Sequence, residues 1–148
     1  MKRLVTPMLA ILCAVFAVPS QAQFAKTEDA IKYRQSAMFI QSQHVARLGA
    51  MASGRAPYDA AAAAANAEVV AQISRFPWAG FAPGTEGGKA KPEIWKEQAK
   101  FKELSERLMA DTDKLLVAAK AGNLDALKAA IGPLGETCKA CHDSFRNR

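Results

Sequence analysis

The chain has 148 residues, half of them hydrophobic, with three cysteines, two histidines and a formal net charge of +6. That length holds one domain with one core and excludes two. The charge is spread along the chain, with no basic stripe interleaved with aromatics, which excludes a nucleic-acid surface.

The first 22 residues read as a leader. Lys2 and Arg3 precede an apolar run from Met8 to Val18, and Ser20-Gln21-Ala22 places small residues at the first and third positions before a cut. This pattern predicts a secretory signal peptide over 1–22 and a mature domain over 23–148. The run is too short to span a bilayer and no later stretch is longer, so no membrane anchor is expected. Cys13 follows Leu12, where a lipoprotein signal needs a small residue, and it leaves with the leader. Removing Lys2 and Arg3 lowers the net charge to +4, and a bacterial periplasm is the expected destination.

Four helical stretches follow. Thr27 is the predicted N-cap of the first, with Glu28 and Asp29 in its first turn at the positive end of the dipole. Ile31, Arg34, Gln35, Met38, Ser42, Val45 and Leu48 recur at helical spacing until Ser53-Gly54 ends the run. Pro57 opens a second helix, whose Ala60–Ala65 block has high helix propensity and permits close approach of a neighbour. Residues 76–91 contain two prolines and four glycines and form the long connection, yet they carry Phe76, Trp78 and Phe81, as expected of a segment packed on something large and flat. Pro92 starts a third helix through Trp95, Phe101, Leu104, Leu108 and Leu115, closing near Gly122. Asn123 caps a fourth, in which Gly132-Pro133 predicts a kink or a split. Together these describe an all-α, antiparallel up-down four-helix bundle with a site in its core.

The fourth helix ends in Cys138-Lys139-Ala140-Cys141-His142. On a helix the two thiols lie one turn apart on one side, where both can meet the vinyl groups of a single porphyrin, and His142 can offer an imidazole nitrogen to the iron. A redox dithiol normally sits beside a βαβ pattern, and no strand run is evident here. A structural zinc needs four ligands, more than Cys138, Cys141, His142 and His44 supply from one place. The motif therefore predicts covalent haem c, one per chain. The modest positive charge suits haem propionates or an acidic partner.

Further blocks make the mature sequence resemble the cytochrome c-prime family of class II c-type cytochromes. They are Lys32-Tyr33-Arg34-Gln35-Ser36-Ala37, Ala56-Pro57-Tyr58-Asp59-Ala60-Ala61, Pro77-Trp78-Ala79 through Gly88, and Cys138 to Arg146. The resemblance implies a bundle with one covalently bound haem in its core. It makes Cys138 and Cys141 the thioether donors and His142 the one strong axial ligand. It also implies that Arg34 and Gln35 contact a propionate, that Trp78 and Phe81 line the pocket, that Arg146 lies near the proximal face, and that two chains pair as a homodimer. Phe39, Ile40, Val45 and Leu48 on the first helix are candidates for that pairing.

Met38 occupies the family's distal position, and two readings stay open there. If it only packs over the iron, the distal face is an apolar wall without hydrogen-bond donors. Nitric oxide and carbon monoxide are then the expected partners, in a sink or carrier that is not an enzyme. If Met38 bonds to the iron, the chain is a low-spin electron carrier serving a redox partner protein. His44 lies about 120° round the helix from Met38, which removes it as a ligand.

Overall fold

The computed structural model describes residues 23–148, so the leader expected over 1–22 lies outside the described residues. In chain order they form α1 (Thr27–Ala52), α2 (Ala60–Ile73), a 3-10 turn (Pro77–Phe81), α3 (Glu93–Lys96), α4 (Gln98–Lys120) and α5 (Leu124–Phe145). The four long helices make the expected bundle, and α3 is a single turn laid on it. Short connections at 53–59 and 121–123 turn the chain back on itself, while 74–97 crosses one end.

The helix ends follow local chemistry with instructive differences. Asn123 caps α5 as expected, its Oδ1 accepting from the Asp125 and Ala126 amides at 2.8 and 3.2 Å. Asp59, not Pro57, starts α2, its carboxylate accepting from the Ala62 amide at 2.9 Å. Thr27 does not cap α1; Lys26 has the extended backbone of that position, and the Thr27 hydroxyl donates across the fold to the Gly84 carbonyl at 2.9 Å. The third helix is broken at Glu97 (φ −108°, ψ 47°) into α3 and α4. α5 runs through Pro133 without splitting. Ala129 and Pro133 are both exposed, so the carbonyl deprived of its partner can turn to water.

Leu48, Ala63, Ala67, Val70, Leu115, Leu127 and Leu134 are sealed from solvent or nearly so, and they form the dry core between all four helices. Ala63, within the alanine block, is fully buried against the core, as the close packing expected of that block requires. A polar clamp sits beside that core. The Thr137 hydroxyl donates to the buried Asp111 carboxylate at 2.7 Å, and Lys114 reaches the same group at 3.1 Å. This ties α4 to α5 one residue before Cys138.

The crossing segment and the C-terminus meet at one end of the bundle. The Lys91 amide donates to the Phe145 carbonyl at 3.0 Å and the Asn147 amide to the Lys89 carbonyl at 2.9 Å. The same segment grips α1, where Gly80 approaches so closely that a β-carbon there would meet the Ala30 carbonyl at 2.8 Å. The start of α1, the crossing segment and the end of α5 thus share one end.

Candidate haem site

Cys138 and Cys141 are both free and half-buried on the last turns of α5. Burial pushes both thiols up, Cys141 to about 11, which keeps them protonated and neutral. His142 is open to solvent and lines a groove of about 720 Å³ with Lys91, Lys139, Asp143 and Arg146. Partial desolvation and the Arg146 charge hold its imidazole below the ordinary value, against the opposing pull of Asp143. A neutral ring presents the lone pair that a metal requires. Arg146 lines the same groove as His142 and pairs its backbone with Ala90.

The crossing segment supplies flat apolar surface. Trp78 and Phe81 stack at 6.3 Å between ring centroids, and Phe101 meets Phe81 at 5.0 Å and Phe145 at 5.4 Å. Trp78, Phe81, Ile94, Trp95 and Phe101 line a groove of about 320 Å³. The Trp78 indole donates to the Ser74 carbonyl at 2.7 Å, which fixes the ring plane. Trp95, Phe101 and Phe145 join this cluster although the sequence reading placed no site role on them. Helical spacing placed Trp95 and Phe101 only along the third helix, and Phe145 was not singled out.

Arg34 is buried, and its guanidinium lies 4.6 Å from the centroid of Phe81. It donates to the carbonyls of Gly80, Thr85 and Gly87 at 2.5, 2.7 and 2.8 Å, so it holds the crossing segment to α1. No carboxylate pairs with it among these bonds. Desolvation lowers its pKa, partly offset by Glu86. Gln35 is exposed at the edge of this clasp, its amide nitrogen 2.9 Å from where a Gly88 β-carbon would lie. Gly88, at φ +60°, is held to glycine by its backbone.

Helix rise sets depths along the bundle. With Arg34 and Phe145 joined through the crossing segment at one end, four residues along each helix reach Met38 and Cys141, about 6 Å deeper. Met38 is half-buried at that level. Seven residues along each, about 10 Å deeper, reach Gln41 and Cys138. The buried face of α1 runs through Arg34, Ala37, Gln41 and Leu48, not through Ser42, which is exposed and donates to the Phe39 carbonyl. Gln41 was missed because a polar amide interrupts an apolar stripe and reads as surface.

The donor set fits a haem. Two free thiols one turn apart, a neutral imidazole beside them, aromatic surface from the crossing segment and a buried cation with no carboxylate partner meet at one end of the fold. The buried Gln41 Oε1 has no hydrogen-bond partner, as is also true of the buried Tyr58 hydroxyl at the far end of the bundle.

A helical bundle that closes on Cys-x-x-Cys-His in its last helix defines a c-type cytochrome of the bundle class. Residues 29–146 match the Cytochrome C' family, and the chain belongs to it. It is 52% identical over 126 residues to cytochrome c' of Alcaligenes xylosoxydans xylosoxydans, covering 85% of this chain and 99% of that protein. It is 44% identical over 129 residues to cytochrome c' of Rubrivivax gelatinosus, covering 85% and 100%. Among solved structures it is similar, at a TM-score of 0.82 and 51% identity over 85% of this chain and 99% of the other, to the nitric oxide complex of a leucine-to-alanine mutant of cytochrome c prime from Alcaligenes xylosoxidans. The family implies covalent haem c, and this chain has its two cysteines at 138 and 141.

Proposed function

We propose that this chain is a periplasmic haem c protein, exported by the 1–22 leader, that binds nitric oxide and carbon monoxide as a sink or carrier and catalyses no reaction of its own. One haem is held per chain through Cys138 and Cys141, with His142 as the only axial ligand from the protein. When bound, the haem supplies a five-coordinate, high-spin iron whose free face takes a small neutral ligand. The carrying observation is the position of Met38: half-buried on α1, which packs against α5, and by helix rise at the depth of Cys141, it would screen that face. A leucine-to-alanine mutant of a relative half identical to this chain forms a nitric oxide complex, which supports the same chemistry here.

The chain's own residues position the group and guard it. Cys138 and Cys141 fix the porphyrin to α5, and the Thr137–Asp111 bond holds that part of α5 against α4. Trp78 and Phe81 wall the pocket against water. Gln35 stands exposed at its edge beside the buried Arg34, and the two would receive a propionate there. Arg146 remains beside His142 on the proximal side.

Phe39 and Ile40 lie exposed on α1 and supply an apolar patch for a second copy, whereas Leu48 and Val45 pack in the core and leave that patch. An acidic redox partner fits the basic groove around His142. Among the described residues no helix is long and apolar enough to cross a membrane.

The absorption spectrum of the purified protein before any gas is added tests the reading. High-spin ferric and ferrous forms are expected, with Met38→Ala speeding ligand binding. A low-spin ferrous spectrum that Met38→Ala converts to high-spin would establish the electron carrier with His142/Met38 ligation instead.

A further inference from the structure

We propose that Gln41 is the hydrogen-bonding group of the distal face: its side-chain amide donates to the ligand that Met38 screens, and so favours ligands whose outer atom gathers negative charge on binding. This rests on the ligand-binding reading above. Gln41 is 5% exposed, and its Oε1 is buried without a partner. Leaving a buried polar atom unpaired costs about 1–3 kcal/mol, so its retention inside a helix face otherwise built from Ala37, Leu48 and Met51 needs a reason.

The helix gives that reason a direction. Gln41 lies seven residues after Arg34, only about 20° round the helix from it, and three residues after Met38, so all three share the inner side of α1. Its depth is that of Cys138, the inner of the two thiols, while Arg34 marks the outer edge at the crossing segment. The amide therefore lies about one turn deeper than Met38 on the buried face of α1, where the sequence reading expected an apolar wall without donors. A carboxamide carries two N–H donors and an acceptor, so a half-turn of its last bond puts an N–H where the unpartnered oxygen sits and aims it at a ligand that can only accept. Carbon monoxide, nearly neutral at its outer atom, gains least from such a donor; nitric oxide and dioxygen gain more.

The test uses full-length holoprotein matured in a host that attaches haem c. In the ferrous carbon monoxide adduct, the infrared C–O stretch of Gln41→Met and Gln41→Leu should lie at higher wavenumber than in the wild type, and nitric oxide should dissociate about fivefold faster. Methionine nearly conserves volume, so packing alone should leave the band in place. The wild-type band should also move on transfer from light to heavy water, a reading that needs no variant and decides the matter if either variant fails to fold. An unshifted band in both variants, with no isotope effect in the wild type, makes Gln41 a core amide and overturns the proposal. A wild type that forms no carbon monoxide adduct at all overturns the ligand-binding reading first, and this inference with it.

Discussion

The two ends of the bundle are built on different principles. At the end that holds the 121–123 turn, Leu48, Val70, Leu115, Leu127 and Leu134 from four helices seal one another, and almost nothing polar intrudes. At the other end the same α1 and α5 present Arg34, Met38, Gln41, Cys138 and Cys141 inward, with aromatic rings from the crossing segment closing over them. The first end is packed by protein side chains that fit by shape, although the Tyr58 hydroxyl is buried there without a partner. The second carries Arg34, buried and bonded to carbonyls of the crossing segment under the charge of Glu86, beside aromatic surface suited to a flat guest. One fold can thus separate the part that supplies stability from the part that supplies function.

The sharpest way to break that contrast is to withhold the guest. Replacing Cys138 and Cys141 together with alanine should abolish covalent attachment entirely, checked by acid-acetone extraction that strips all haem from the variant and none from the wild type. Amides of 27–41 and 137–145 should lose hydrogen-exchange protection, while those around Leu48 and Leu127 keep it. Uniform loss along both helices would show that the two ends are one cooperative unit. Leu127→Ala, at a fully buried position, should lower the unfolding free energy by about 2–5 kcal/mol in denaturant titration and leave the spin state unchanged.

Asp111 lies where the two ends meet, and its effect should be smaller and dependent on pH. Burial pushes its carboxyl up, but the Thr137 and Lys114 hydrogen bonds and the charges of Lys114 and Arg107 outweigh that and hold it below the usual range. A lowered folded value gives stability that is fully present above the unfolded pKa, near 4, and is lost as pH falls through the folded value. Asp111→Asn should therefore flatten the acid limb of the stability profile below about pH 4. Thr137→Val, which leaves the carboxylate short of one bond, should cost about 1–3 kcal/mol at neutral pH. Equal acid sensitivity in Asp111→Asn and the wild type would remove the clamp from the account.

How much of this was legible in the sequence follows from how local each signal is. The Asn123 cap, the Ser53-Gly54 stop and the Cys138–His142 motif depend on neighbours within a turn, and the chain spells them out. Thr27 looked like a cap by residue type, but its hydroxyl finds Gly84 far along the chain, which no window around Thr27 reveals. The break at Glu97 and the passage of α5 through Pro133 depend on what surrounds each helix. Arg34 was assigned to a propionate by resemblance; its three carbonyl bonds to the crossing segment needed the fold. Gln41 and Asp111 escaped because buried polar residues break the apolar period on which the reading relied. A stripe through 34, 37, 41 and 48 would have included Gln41 had its spacing been followed regardless of polarity.

The smallest effects compare the two ends through one hydrogen bond each. Asn123 caps α5 at the sealed end, where a lost cap raises the free energy of a helix that every core leucine packs against. Asn123→Ala should cost about 1 kcal/mol and appear as a lower global Tm. Thr27 tethers α1 to Gly84 at the site end through an exposed bond whose net contribution is about 0.5 kcal/mol. Thr27→Val should leave Tm nearly unchanged and instead speed exchange of amides in 80–88, because that segment opens by local motion that does not require the bundle to unfold. Were Thr27→Val to lower Tm as much as Asn123→Ala, the crossing segment would have to unfold with the core, and the division of labour between the two ends would fail.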